Sequence, residues 1–119
     1  MKNPISNPER IKNIRLLERK SKQEKAEIWK VLARHLSKSK RSRIAVNLSH
    51  INRHSKENET VVIPGKTLAA GKLSHPVKIA AFSFSKQARE KIQEAGGKCF
   101  MIEELLDENP RGSNVKILA

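Results

Sequence analysis

Apolar residues near the start of the chain recur at helical spacing and predict a first amphipathic helix. Asn7 followed by Pro8 has the form of an N-cap and a first helical residue. From there Ile11, Ile14 and Leu17 recur on one face, while polar residues fill most of the remainder. The sequence therefore predicts a helix with a narrow apolar stripe and a broad polar surface.

A second helix is predicted directly after the first, joined to it by a very short turn. Ser21 and Glu24 form an S-x-x-E pattern, which is typical of the capping box at a helix start. Four apolar residues at helical spacing then predict its buried face: Ile28, Trp29, Leu32 and Leu36.

The rest of the chain alternates between β-rich runs and short helical segments. The predicted elements are a strand at 44–48, a helical turn at 49–54, a strand at 60–63 ended by a turn at 64–65, a strand at 77–84, a helix at 85–95 ended by a glycine, a strand at 99–102, an acidic helix at 103–108 and a strand at 115–118. Strands alternating with helices indicate an α/β fold. The fold class we predict is α/β, with an N-terminal basic helix pair followed by a mixed α/β body.

Charge divides the sequence into two unequal parts. Residues 1–56 contain 16 Lys and Arg against 4 Glu, a net charge of +12, whereas residues 57–119 contain 9 against 8, a net charge of +1. At 119 residues the chain has the length of one domain, so we expect a single domain 1–119 with a basic half and a near-neutral α/β body. A concentrated positive field attracts polyanions, and the basic half therefore predicts nucleic-acid binding.

The predicted contacts lie on the first helix, in the cation-rich loop after the second helix, and at the end of the helical turn. They are Arg10, Lys12, Arg15, Arg19, Lys20, Lys22, Lys38, Lys40, Arg41, Arg43, Arg53 and His54. One Trp, three Phe and no Tyr leave few rings for stacking on unpaired bases, so phosphate contacts to folded RNA are favoured. The alternative is a double-stranded DNA-binding module whose N-terminal pair resembles a helix-turn-helix.

Catalytic and metal-binding patterns are incomplete. Gly65-Lys66-Thr67 follows a predicted strand as a phosphate-binding loop does, but Thr60 stands where that motif requires glycine. His50 and His54 have the spacing of two metal ligands on a helix, and no third ligand can be assigned. The single cysteine is expected on a buried strand. We expect no enzyme, cofactor, metal site or small-molecule substrate, and the apolar runs are too short to cross a membrane.

Several motifs occur in the order and spacing of a known family. They are VVIPGKTLAAGKL at 61–73, VKIAAFSFS at 77–85 and AGG at 95–97, with the N-terminal N-P and VNLSHI at 46–51 also fitting. The chain resembles the archaeal and eukaryotic large-ribosomal-subunit protein eighteen, whose fold is shared with bacterial large-subunit protein fifteen. The likeness covers nearly the whole chain, although Ile63 stands where valine is more usual.

The resemblance implies a structural protein of the large ribosomal subunit, without catalytic activity, folded as an irregular superhelix of β-β-α turns. It implies large-subunit ribosomal RNA and neighbouring ribosomal proteins as partners, and a cytoplasmic location within the subunit. By position it adds Lys66 and Lys72 to the predicted RNA contacts. Each lysine follows a glycine, which lets the backbone approach a phosphate closely.

Overall fold

A computed structural model of the protein describes residues 8–37 and 45–118. Backbone contacts divide the chain into two compact units. The N-terminal helices and the segment Glu103–Ser113 belong to the first unit, while the sheet belongs to the second. The acidic segment is therefore grouped with the basic helices, although in sequence it lies between two parts of the second unit.

The first unit contains two helices joined by a tight turn: α1 spans Pro8–Glu24 and α2 spans Glu27–Ser37. The predicted capping box at Ser21 is wrong as a helix start, because α1 continues through this residue. Lys25 takes a left-handed φ of 54°, and the N–H of Ala26 donates to the carbonyl of Ser21 at 3.1 Å. This hydrogen bond closes the end of α1 as a Schellman motif does.

The apolar faces of the two helices agree with the predicted periodicity. Trp29, Leu32 and Leu36 of α2 are buried, as predicted, whereas Ile28 is only half-buried. Leu17 provides the fully buried apolar contact of α1. The narrow stripe of α1 and the broader face of α2 follow from how many apolar residues each helix has per turn.

The second unit is built on a parallel sheet. Within the described residues it has five strands: β1 Ala45–Asn47, β2 Thr60–Leu68, β3 Lys78–Phe84, β4 Lys98–Met101 and β5 Val115–Ile117. The order is β1-β2-β3-β4, and β5 also pairs with β2. β1 pairs with the end of β2 and β5 with its beginning, so both lie on the same side of this strand.

Helices follow β1, β3 and β4, whereas a loop joins the parallel neighbours β2 and β3. These helices are α3 Leu48–His54, α4 Lys86–Glu94 and α5 Ile102–Glu108. Ser85 caps α4 by accepting a hydrogen bond from the N–H of Ala88 at 3.1 Å, and Gly96 follows the helix with a φ of 84°. Both features were predicted, and the α/β fold class is confirmed.

The predicted turn at Pro64-Gly65 is wrong, because β2 runs through these residues to Leu68. The register against β3 shifts between Ile63 and Lys66, so the Pro-Gly pair lies in an irregularity of the strand. A bulge tolerates proline because the ladder hydrogen bond is interrupted there in any case. The Pro64-Gly65 pair, which predicts a turn from the local sequence, therefore marks a bulge within β2.

One face of the sheet carries the main apolar core of the second unit, with α3 and α4 supplying the other side. Its buried residues are Val46, Leu48, Ile51, Val61, Ile63, Leu73, Val77, Ile79, Ala81 and Ile92. Cys99 is half-buried against this core, as expected for a strand residue, and burial raises the pKa of its thiol.

Candidate nucleic-acid interface

Four of the predicted contact residues form a row along α1. They are spaced three, four and three residues apart, which places them on one side of the helix, and all four side chains are exposed. The row consists of Lys12, Arg15, Arg19 and Lys22. At 1.5 Å per residue it extends over about 15 Å.

The row lies opposite the buried side of α1, on which Asn13 and Leu17 are 3% and 0% exposed. Lys20 lies beside that buried side and is half-buried, so it does not belong to the row. Arg10 is part of α1, but its side chain is outside the described residues.

Only one residue of the row has an ion-pair partner among the described residues. The Nζ of Lys12 lies 3.9 Å from a carboxylate oxygen of Glu103, and the two side chains are 67% and 39% exposed. An exposed pair at this distance is weak, because water and salt screen it. The four cations are therefore accessible to an outside partner, and Glu18, also exposed one turn from Arg15 and Lys22, offsets part of their charge.

The loop that carries the densest positive charge of the sequence lies outside the described residues. Its predicted contacts are Lys38, Lys40, Arg41 and Arg43. They stay a prediction from the sequence.

Arg53 and His54 are both exposed in the last turn of α3. The rings of His50 and His54 lie with centroids 4.5 Å apart and tilted by 50°. The Nζ of Lys116 donates to the carbonyl of His54 at 2.9 Å. Within the described part of the chain, no three His, Cys, Asp or Glu side chains group together as a metal site would require. His54 is exposed beside Arg53, whereas His50 is half-buried.

Lys66 and Lys72 are exposed near the end of β2 and in the loop that follows it. That loop is held against α3 and α4 by hydrogen bonds. The N–H of Ser49 donates to the carbonyl of Ala70 at 3.1 Å, and the Nζ of Lys91 donates to the carbonyls of Ala69 and Gly71 at 3.0 and 3.2 Å. The loop therefore holds Lys72 on a fixed backbone.

The compact units divide the charge differently from the halves of the sequence. The first unit has 15 Lys and Arg against 8 acidic residues, a net charge of +7. The second has 10 against 4, a net charge of +6. The difference arises because the acidic helix α5 lies almost entirely in the first unit, so that the sheet unit keeps most of its cations uncompensated.

Sequence reasoning did not assign several exposed cations. They are Lys25 in the turn between α1 and α2, Lys30 and Arg34 on α2, and Lys86, Arg89 and Lys91 on α4. Lys86 and Arg89 of α4 follow β3, a position that becomes informative only when the pairing of β3 with its parallel neighbours is known. Among the described helices, none has the length and apolar character needed to cross a bilayer.

The sequence is similar to known proteins along almost its full length. The sequence model of the family described as ribosomal protein 60S L18 and 50S L18e matches residues 10–119. Large ribosomal subunit protein eL18 of Methanothermobacter thermautotrophicus is 52% identical over 113 residues, covering 95% of this chain and 93% of the relative. The proteins of the same name from Archaeoglobus fulgidus and Methanospirillum hungatei are 48% identical over 113 residues and 45% identical over 117 residues. These matches cover 95% and 98% of this chain, and 97% of each relative. With this agreement in family motifs and length, the chain belongs to the family of ribosomal proteins 60S L18 and 50S L18e.

Proposed function

We propose that this protein is a structural constituent of the large ribosomal subunit, where it binds folded ribosomal RNA mainly through phosphate contacts. Family membership and the names of its relatives support this role. The role is structural and not enzymatic, and it is carried out in the cytoplasm within the subunit. Its other partners are neighbouring proteins of the large subunit.

The observation that carries the RNA-binding proposal is the row on α1. Four exposed cations face away from the buried side of the helix, and among the described residues only Lys12 of this row forms an ion pair. Lys and Arg are the side chains that most often contact phosphate oxygens. A row of about 15 Å matches the scale of several consecutive phosphates along an RNA strand.

The remaining predicted contacts are further candidates for phosphate binding. They are Arg10, Lys20, Lys38, Lys40, Arg41, Arg43, Arg53, His54, Lys66 and Lys72. Arg53 and His54 are supported by their exposure at the end of α3, and Lys66 and Lys72 by their exposure near the end of β2.

The alternative of a double-stranded DNA-binding module receives no support from the family match. The structure of α2 also disfavours it, because Trp29, Leu32 and Leu36 are all buried. A recognition helix needs free side chains along the face that enters the major groove.

The salt dependence of RNA binding tests the proposal. A protein that contacts 6 to 10 phosphates is expected to lose about three to five orders of magnitude in affinity between 50 and 200 mM salt. The variant Arg15→Gln/Arg19→Gln should lower the slope of log affinity against log salt by roughly 1.5, because each lost contact removes about 0.7 to 0.9. Affinity for large-subunit ribosomal RNA is measured by filter binding at several salt concentrations.

The matched control is Lys30→Gln/Arg34→Gln, which removes the same charge from exposed positions on α2. We expect this control to change the slope by less than about half as much. Equal slopes for the wild type and the α1 variant would contradict the proposed row. Stronger binding to duplex DNA than to ribosomal RNA would contradict the proposed function as a whole.

A further inference from the structure

The sheet unit has a net charge of +6, and its acidic residues are distributed unevenly between the two ends of its strands. Because the strands are parallel, their carboxyl ends lie at one edge of the sheet, which we call the carboxyl edge. Four exposed cations lie in or directly after the last residues of β2 and β3. They are Lys66, Lys72, Lys86 and Arg89.

Three of the four glutamates of this unit lie at the opposite end of the strands. Glu57 and Glu59 come directly before β2, and Glu94 ends α4 shortly before β4. The fourth, Glu90, lies one helical turn after Lys86 on α4 and therefore partly offsets the charge of that lysine. The carboxyl edge therefore has four cations against one glutamate, and it keeps a net positive charge.

Two of the four cations are held in position by the fold. The guanidinium of Arg89 lies 5.1 Å from the ring centroid of Phe84, the last residue of β3. Lys72 follows Gly71, whose backbone is fixed by Lys91 and packs against Ser49 so closely that a Cβ would lie 2.3 Å from the Cβ of Ser49. Side chains on a fixed backbone lose less conformational freedom on binding, which favours affinity.

The register between β2 and β3 brings the two groups of cations together. Lys66 is paired with Ser83 of β3, and the N–H of Ser85 donates to the carbonyl of Thr67 at 3.0 Å. The end of β2 is thus joined to the beginning of α4, on which Lys86 is the first residue. The cations of the two strand ends belong to one continuous edge.

We propose that the carboxyl edge of the sheet, with Lys66, Lys72, Lys86 and Arg89, is a second RNA-phosphate-binding surface of this protein. It belongs to a different compact unit from the row on α1, and it rests on the proposed function in ribosomal RNA binding. The protein then binds its RNA with both compact units, each contributing a comparable positive charge.

The chemistry of the edge favours RNA over an acidic protein. Lys is depleted from the cores of protein–protein interfaces, where desolvating its ammonium group is costly. Phosphate contacts keep such side chains partly hydrated and draw additional free energy from counterion release. Three lysines and one arginine, with no exposed apolar cluster among them, fit a phosphate backbone.

The test uses the full-length protein and large-subunit ribosomal RNA. The edge variant is Lys72→Gln/Lys86→Gln, and the matched control is Lys56→Gln/Lys98→Gln, which removes two exposed lysines from the opposite end of the same unit. The edge variant should lose roughly tenfold in affinity at 0.1 M salt and lower the salt slope by roughly 1.5, while the control stays close to the wild type. A second variant, Lys66→Gln/Lys86→Gln, should give the same result.

The outcomes separate this inference from the proposed function. If the wild type binds and the α1 variant weakens binding, but both edge variants behave like the control, the second surface is wrong while the function stands. If the wild type itself does not bind ribosomal RNA, the proposed function fails first. If the edge variants bind RNA normally but are no longer incorporated beside the neighbouring proteins of the subunit, the edge contacts protein and the inference is overturned.

Discussion

The indole N–H of Trp29 donates to the carbonyl oxygen of Pro110 at 2.6 Å, joining residues 81 positions apart in sequence. Trp29 is fully buried in α2, and Pro110 follows the acidic helix α5. Gly112 packs against the same ring, since a Cβ at this position would lie 3.2 Å from the Cζ2 atom of Trp29. These contacts hold the end of the acidic segment in the unit of the basic helices. Because its acidic residues count in that unit, the first unit has a net charge of +7 and the second of +6.

Replacing Trp29 with Phe should destabilise the protein. The substitution removes the donor and leaves a part-buried carbonyl without its partner, and it also removes buried ring volume. We expect a loss of about 2 kcal/mol in the free energy of unfolding. Urea unfolding followed by circular dichroism measures it, because Trp29 is the only tryptophan and cannot serve as a fluorescent probe in the variant. A loss below about 0.5 kcal/mol would show that the hydrogen bond contributes little.

Gly71→Ala should weaken both stability and RNA binding. Gly71 has a φ of 91°, and a Cβ would overlap the Cβ of Ser49 at 2.3 Å. The loop would have to move away from α3, displacing Lys72 from the carboxyl edge. We expect a loss of about 2 to 3 kcal/mol in unfolding free energy, combining left-handed strain with overpacking.

Gly96→Ala provides the control for the backbone strain alone. Gly96 has a φ of 84°, but a Cβ there would meet only the Cβ of Pro76, at an ordinary 3.6 Å. This variant should lose about 1 kcal/mol and bind RNA like the wild type. If the two alanine variants lose equal stability in thermal unfolding, close packing against Ser49 is not what fixes the loop.

Local patterns predicted most elements, but two boundaries needed information from elsewhere in the chain. The S-x-x-E pattern at Ser21 is also found inside helices, and the end of α1 has no glycine to mark it because Lys25 takes the left-handed position. Likewise, Pro64-Gly65 indicates a turn unless a neighbouring strand continues the pairing, as β3 does here. The left-handed conformation of Lys25 determines where α1 ends. Pairing with β3, which is distant in sequence, determines that β2 continues past Pro64-Gly65.

The row on α1 and the carboxyl edge also differ in how far the sequence predicts them. The row on α1 was predictable because helical periodicity fixes both the buried side and the side opposite to it. The carboxyl edge was not predictable, because the sequence alone does not show that β2 and β3 are parallel neighbours. That pairing is what places Lys72 and Lys86 at the same edge. The near-neutral charge of residues 57–119 concealed this edge, because four of their acidic residues fold with the first unit.

Glu103→Gln should strengthen RNA binding at low salt. The carboxylate lies 3.9 Å from the Nζ of Lys12 and competes with phosphate for that cation. We expect a gain of about two- to threefold in affinity at 50 mM salt, which disappears at high salt as the pair is screened. Asp107→Asn removes the same charge from an exposed position of α5 and should give a smaller gain. Equal gains from both variants would point to overall charge instead of the specific pair.

The interactions of the Glu59 carboxylate should make the sheet unit less stable in acid than at neutral pH. The backbone N–H of Lys56 donates to its Oε1 at 2.9 Å, and the Nζ of Lys116 on β5 lies 3.4 Å from the same oxygen. The hydrogen bond from Lys56, helped by Lys116 and opposed by partial desolvation, lowers the pKa of this carboxyl below its ordinary value of 4.5. Because the folded pKa is the lower one, the contribution is present above pH 4.5 and is lost as pH falls through the folded pKa.

Glu59→Gln should therefore lower the free energy of unfolding at pH 7 by about 0.5 to 1 kcal/mol, and the difference from the wild type should vanish in acid. Urea unfolding at a series of pH values between neutral and strongly acidic measures this difference. Glu57→Gln removes the same charge two residues away, from an exposed side chain, and should follow the wild type across that range. If the difference in unfolding free energy between Glu59→Gln and the wild type stays constant down to the lowest pH, the glutamine amide destabilises the protein for steric reasons. In that case the ionised carboxylate would not be what ties the beginning of β2 to β5.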